Sequence, residues 1–140
     1  MPKYKQLDGI NIQWPWSDLL LSGQKSVETR SYRLPKRLEG VELAVIETPG
    51  KRGRKDAGVE KARIIGTIIF ETSYRYKNER HWKGEIDKHL VESSDPLFKF
   101  KKDKEKWAWV VKRIARLDKP VPPPIKRGII FAKKCRVPIP

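Results

Sequence analysis

The sequence predicts an α+β fold, a small mixed β-barrel flanked by short helices. Several short segments rich in Val, Ile and aromatic residues recur along the chain, each bounded by Pro, Gly or charge clusters. Short strands with this spacing are typical of barrels. Two further segments carry helix signals. The 140 residues, 38% of them hydrophobic, are enough for one domain over residues 1–140 and its core.

The first predicted element is a short helix within residues 14–23. Pro15 suits the first helical turn, because the N–H that proline lacks is not needed there. Gly23 is placed to end the helix in the left-handed conformation. The next segment, 26–32, alternates β-branched and polar residues, which predicts an extended strand.

Alternation in segment 26–32 places Glu28, Arg30 and Tyr32 on one face. A carboxylate and a guanidinium are therefore expected side by side. Further strands are predicted at 41–48, 64–72, 107–114 and 128–134.

A second helix is predicted at 79–92, because Trp82, Ile86 and Leu90 recur every four residues. It is expected to cover one opening of the barrel, with His89 on its inner side as a hydrogen-bonded core residue. Segment 49–58 is predicted to be a flexible basic loop, and the proline run 120–124 a stiff extended spacer.

The formal net charge is +15, from 32 Lys and Arg against 17 Asp and Glu. Such a surplus favours polyanions and makes their binding salt-dependent, so RNA is the expected partner. The alternative is that the charge serves solubility alone. The basic residues are concentrated in the C-terminal half.

The few cysteines and histidines exclude several kinds of site. Cys135 is the single cysteine and cannot form an intramolecular disulfide; His81 and His89 beside it do not complete a zinc site. Basic neighbours of Cys135 are expected to lower its thiol pKa, but no histidine partner is evident. We expect no metal, no cofactor and no membrane segment, and a cytoplasmic location.

Residues 23–30 read GQKSVETR, which fits the pattern GxKxxExR directly after a Pro-Trp helix. Here the chain resembles the ASCH domain family, a branch of the PUA-like superfamily. Weaker similarities follow at 65–68, 107–111 and 120–129. The resemblance implies a small PUA-like β-barrel with an RNA-binding cleft between barrel and helix.

The activities that the resemblance implies are mixed. Some members of the family look like RNA-processing or RNA-cleaving enzymes, others like amidohydrolases of an acylated pyrimidine nucleoside, and others are adaptor domains. In the amidohydrolase-like branch a threonine stands where this chain has Glu28.

Lys25 and Glu28 are the candidate catalytic residues. A lysine whose pKa is lowered by burial can act as base or nucleophile, and a glutamate can accept a proton. Arg30 can bind phosphate through its planar fork. The same residue types also form structural ion pairs, and the spacing alone leaves both interpretations open.

Other candidate RNA-binding residues are aromatic or basic. Aromatic rings can stack on unpaired bases, and basic side chains can hold the phosphates. Tyr74 and Tyr76 are expected to be exposed, whereas Trp14, Trp107 and Trp109 are expected in the core. The remaining candidates are Trp16, Tyr32, Lys51, Arg52, Arg54, Lys126 and Arg127.

Three functions are compatible with these patterns. The first is an RNA-binding ASCH domain acting in RNA processing or metabolism. The second is a metal-independent ribonuclease, or a hydrolase of a modified nucleoside, using Lys25 and Glu28. The third is a protein-interaction module that uses the proline run and the Trp82 helix. The oligomeric state is not predicted.

Overall fold

The computed structural model describes residues 3–49, 61–125, 128 and 130–139. In these residues a six-stranded mixed sheet is accompanied by three short α-helices and one 3-10 helix. The strands are β1 (Tyr4–Gln13), β2 (Val27–Arg30), β3 (Glu42–Thr48), β4 (Arg63–Arg75), β5 (Trp107–Val121) and β6 (Phe131–Pro138); the α-helices are α1 (Trp16–Leu21), α2 (Glu79–Gly84) and α3 (Ile86–His89), and the 3-10 helix is Lys36–Leu38.

The strand order is β2-β5-β4-β3-β1-β6, with β1 parallel to β3 and the other pairs antiparallel. The predicted mixed α+β class is confirmed, but the prediction of a closed barrel is wrong. β2 and β6 are the two edges of the sheet. The four-residue β2 is linked to β1 by a side chain, Arg30 Nη2 donating to Asn11 O at 2.9 Å, instead of by a backbone ladder.

Strand β1 was missed by the sequence prediction, although it lies between β3 and β6. Its second half carries the strand signal, because Ile10 and Ile12 are buried and alternate with Asn11 and Gln13. Its first half is polar and gives no apolar alternation. A strand next to an edge can begin in this way, since only part of its length covers the core.

The long strands β4 and β5 form the largest pairing in the sheet. β5 runs past the predicted end at 114 to Val121, which is opposite Ile64, so the first residues of the proline run are strand. Gly66 of β4 lies against β5, where an added Cβ would be 2.3 Å from Ala115 O. Any side chain there would separate the two strands.

Helix α1 forms as predicted. Pro15 precedes its first residue, and Gly23 follows with φ of +82°. Leu20 and Leu21 of α1 are buried in the main core, whose largest side chain is Trp109.

The predicted helix 79–92 is instead two short helices, separated at Glu85. The Asn78 side chain caps α2 by accepting from the His81 backbone N–H at 2.8 Å, and Leu90 ends α3 in the left-handed region with φ of 59°. Trp82 and His89, one from each helix, are buried and stack with ring centroids 4.6 Å apart. Within the described residues, no helix has the length and apolarity needed to span a bilayer.

Candidate functional site

A cavity of about 550 Å³ lies between strands β1 and β2, which are not neighbours in the sheet. Its wall combines charged, amide and aromatic groups. Those that matter for binding are Asn11, Gln13, Trp16, Lys25, Glu28 and Arg30.

Glu28 and Arg30 form the ion pair that strand alternation predicted. Arg30 Nη2 is 3.0 Å from Glu28 Oε2, and Glu28 Oε1 accepts from the Thr29 backbone N–H at 3.2 Å. The guanidinium lies 5.6 Å from the centroid of the Trp109 ring. Both side chains are largely buried, at 17% exposed for Arg30 and 7% for Glu28. The pair thus links the cavity wall to the main core.

Lys25 follows the turn after α1, and its backbone N–H donates to Leu19 O at 2.9 Å. Its side chain is buried; Nζ donates to His89 O and lies 5.1 Å from the Trp16 ring centroid. Burial lowers the pKa of Lys25 to about 8; Glu28 partly offsets this, whereas Lys106 and Arg30 add to it. Near neutral pH this ammonium is close to its titration point.

Lys106 is a third cation near Glu28. Its Nζ donates to Phe98 O at 2.6 Å and lies 5.5 Å from the Trp82 ring centroid. Burial lowers its pKa, while Glu28 and Asp95 oppose that shift. We refer to Lys25, Glu28, Arg30 and Lys106 as the cavity cluster, in which three cations share one carboxylate.

His89 accepts a hydrogen bond from Lys25 through its backbone carbonyl, and its own ring is hydrogen-bonded. Its Nδ1 accepts from the Val91 backbone N–H at 2.9 Å, so Nε2 carries the proton and donates to Trp82 O at 2.7 Å. Burial lowers its pKa, which keeps the ring neutral. The prediction of a hydrogen-bonded core histidine is confirmed.

Gln13 brings an unsatisfied acceptor to the cavity wall. Its Oε1 is buried and has no hydrogen-bond partner within the described part of the chain. A buried carbonyl without a donor is costly, so a ligand N–H or O–H placed there would be favoured.

A second groove, of about 300 Å³, adjoins the cavity and shares Thr29, Arg30 and Phe98 with it. We refer to it as the lysine groove, because it is lined by Lys99, Lys101, Lys104 and Lys106. The sequence analysis did not single out these residues. The signal was present as the run KFKKDKEK at 99–106, which has no apolar periodicity and five lysines.

The predicted aromatic candidates have different environments. Trp16 is half-buried and lines the cavity. Tyr32 is half-buried and packs edge-on against Trp109, with centroids 5.6 Å apart, so its ring belongs to the core.

The expectation that Tyr74 and Tyr76 are both exposed is wrong. Tyr76 is 2% exposed and packs with Trp82, and Tyr74 is half-buried against the same cluster. The Tyr74 hydroxyl donates to a Glu85 carboxylate oxygen, and burial with this contact raises the pKa of Tyr74 to about 12. The alternation of aromatic and basic residues reflects the end of β4, where Tyr74 and Tyr76 pack against α2.

The remaining candidates are basic residues and the single cysteine. Lys51, Arg52, Arg54, Lys126 and Arg127 lie outside the described residues. Cys135 is buried, and burial raises its pKa, so the expectation of a lowered pKa is wrong.

The chain is similar in structure to solved ASCH proteins. An ASCH protein from Zymomonas mobilis is matched at 15% identity and a TM-score of 0.61, covering 82% of this chain and 72% of that one. The chain has the ASCH-domain fold.

Two point variants of the same Zymomonas mobilis protein give similar matches. A tyrosine-to-phenylalanine variant aligns at 16% identity with a TM-score of 0.60, covering 82% of this chain and 74% of that one. A serine-to-alanine variant aligns at 13% identity with a TM-score of 0.65, covering 90% of this chain and 86% of that one. No protein-family model matches the chain, and no curated protein matches it significantly. The likeness to the ASCH structures is therefore one of fold.

Proposed function

We propose that this protein binds RNA through the cavity and the adjoining lysine groove, and acts in RNA processing or metabolism. The observation that carries the proposal is the continuity of the two: a cavity with an excess of cations opens, at Arg30, onto a groove lined by four lysines. Such a track neutralises successive phosphates and releases their counterions.

The cavity has the size and chemistry for one unpaired nucleotide. Its volume of about 550 Å³ falls within the range of small-ligand sites. Gln13 Oε1 offers an acceptor to a base N–H, and Trp16 offers an aromatic wall. A paired base cannot enter such a cavity, so single-stranded RNA is the expected ligand. The ASCH fold and the resemblance at 23–30 favour the same partner.

Salt dependence of RNA affinity tests this proposal. A labelled single-stranded RNA is titrated with protein from about 50 to about 300 mM salt, and log K is plotted against log salt concentration. The variant Lys99→Gln/Lys101→Gln/Lys104→Gln is expected to flatten the slope by about 2, because each single-strand phosphate contact contributes roughly 0.7.

The matched control is Lys3→Gln/Lys119→Gln/Lys133→Gln, which removes the same charge from exposed positions outside both the cavity and the groove. It is expected to leave the slope nearly unchanged. Equal losses in the two variants would mean that net charge, and not the groove, binds the RNA.

A hydrolase or metal-independent ribonuclease using Lys25 and Glu28 is the second candidate. The pKa of Lys25, lowered to about 8, favours it. Against it, Lys25 Nζ is bound to His89 O, and both Glu28 oxygens accept hydrogen bonds. RNA incubated with the wild type and Lys25→Met, with and without chelator, separates the candidates; we expect it to remain intact, and Lys25-dependent cleavage would reverse the preference.

The interaction-module hypothesis has less support. Part of the proline run belongs to β5. Trp82, the aromatic residue of the helix that the hypothesis invokes, is 1% exposed. The aromatic side chain of this helix is therefore not available to a partner.

A further inference from the structure

The cavity cluster is unbalanced in charge. Lys25, Arg30 and Lys106 are all coupled to Glu28 or in contact with it, and Asp95 is the second carboxylate that acts on Lys106. Three cations with limited access to water therefore face two carboxylates. The adjoining groove adds the exposed Lys99, Lys101 and Lys104 against Glu105, so cations are in excess throughout the described part of this region.

Two cations of the cavity cluster are not at the open surface. Lys25 is 1% exposed, and the Arg30 side chain is 17% exposed. Charges with little access to water are costly unless an opposite charge compensates them. Lys25 is not free to bind an anion directly, because its Nζ already donates to His89 O. It acts on an anion in the cavity through the electrostatic field of its charge.

Arg30 is the group able to contact an anion directly. Its Nη2 is used by Glu28 Oε2 and Asn11 O, while Nε and Nη1 donate no hydrogen bond within the described residues. It borders both the cavity and the lysine groove. Guanidinium donors in this fork geometry suit the oxygens of a phosphate.

We propose that the junction of cavity and groove at Arg30 binds a phosphomonoester dianion, the terminal phosphate of an RNA strand. The inference rests on the proposed RNA-binding function and specifies its ligand. A phosphomonoester carries between −1.5 and −2 charges near pH 7, and it therefore compensates more of this cation excess than a single charge can. An internal phosphodiester carries a single charge and compensates less of it.

Proton uptake is an expected consequence. A dianion beside the cluster favours the charged form of Lys25, so affinity falls as pH rises from about 7 to about 9, by roughly tenfold. The phosphate itself is already fully ionised over most of this range. The charged and titratable groups facing Lys25 are Glu28, Arg30, Lys106 and the neutral His89.

The test compares one oligoribonucleotide bearing a 5′-phosphate, a 3′-phosphate or only hydroxyl ends, by fluorescence anisotropy at fixed salt. A nucleoside monophosphate, the free nucleoside and a dinucleoside monophosphate are measured by calorimetry. We expect one phosphorylated end to bind roughly tenfold more tightly than hydroxyl ends, the contribution of a charge-assisted hydrogen bond. The nucleoside monophosphate should likewise exceed the diester.

Variants assign the effect to the junction. Arg30→Gln and Lys106→Gln are expected to remove the preference for a phosphorylated end, and the exposed control Lys119→Gln to retain it. Circular dichroism verifies folding, and Lys106→Gln serves if Arg30→Gln does not fold.

Equal affinity for phosphorylated and hydroxyl ends overturns the inference and leaves RNA binding standing. Binding of the nucleoside monophosphate without any RNA binding overturns the proposed function and supports the dianion site, with a free nucleotide as its ligand. No binding of either overturns both.

Discussion

Two carboxylates are buried in the described part of this protein, and they have different surroundings. Glu47 is 2% exposed and fully satisfied: Oε1 accepts from Arg63 Nε at 3.0 Å, and Oε2 from the Ser17 hydroxyl at 2.7 Å. Glu28 is 6% exposed and also binds an arginine at 3.0 Å. Considered as pairs, the two are nearly identical.

Their neighbours differ. Glu47 borders a cleft of about 350 Å³ that Arg63 and Arg116 share with Asp18 and Asp118, so acids outnumber bases by one. Around Glu28 the cations are in excess. A buried ion pair therefore does not identify a ligand site by itself. We expect the charge left over around the pair to distinguish a structural cluster from a binding site.

The largest expected effect is the loss of the Glu28 charge. Glu28→Gln leaves Lys25, Arg30 and Lys106 without their common carboxylate, and removing one partner of a buried pair costs about 3–5 kcal/mol of unfolding free energy. Glu47→Gln should cost only about 1–2 kcal/mol, because its partner Arg63 is 38% exposed and can be hydrated. Urea unfolding of both variants at pH 7 makes the comparison; equal costs would mean that the charge imbalance has no energetic consequence.

Sequence reasoning predicted the part of this site that is local. Period-two alternation predicted the Glu28–Arg30 pair, and the residues around Gly23 predicted the end of α1. Lys106 joins the cluster from the start of β5, far along the chain, and only the sheet order brings it near Glu28. No local pattern contains that contact.

The errors in the predicted fold also concern contacts between residues that are far apart in the sequence. The strand segments were recognisable, but whether β2 meets β6 to close a barrel depends on the twist and length of every strand between them. Tyr76 was misplaced because alternation with basic residues is equally consistent with exposure and with a strand that has one buried face. Packing against α2 determines which applies.

The second effect is on the pH dependence of stability. Lys25 has a pKa of about 8 in the folded protein and 10.5 as its ordinary value, so between these pH values the unfolded chain holds more protons. Stability therefore rises with pH across that window, by about 3 kcal/mol in total for this group. Lys25→Met should lose this contribution.

The measurement is the difference in unfolding free energy between wild type and Lys25→Met at several pH values from 7 to about 10. Tyr74, Tyr76 and Cys135 also titrate with shifted pKa values, and this difference cancels their contributions. Lys106 acts on Lys25, so the difference includes the coupling between these two ammonium groups. The exposed control Lys119→Met should parallel the wild type. A constant difference between wild type and Lys25→Met would show that Lys25 is not desolvated, and Glu28 would then resemble Glu47.

The smallest expected effect compares the surroundings of Glu28 and Glu47 by their hydrogen bonding instead of their charge. Both oxygens of Glu47 are satisfied, whereas Gln13 Oε1 on the cavity wall is buried without a partner in the described residues. Gln13→Met removes that acceptor and should raise the unfolding free energy by about 1 kcal/mol while weakening RNA binding. Gln6→Met, at an exposed position of the same strand, should change neither by more than about 0.5 kcal/mol. If Gln13→Met destabilised the protein, the Gln13 amide would have to be a structural group like the Glu47 carboxylate. A gain in stability together with a loss of RNA affinity is the result expected where a ligand completes the hydrogen bonding.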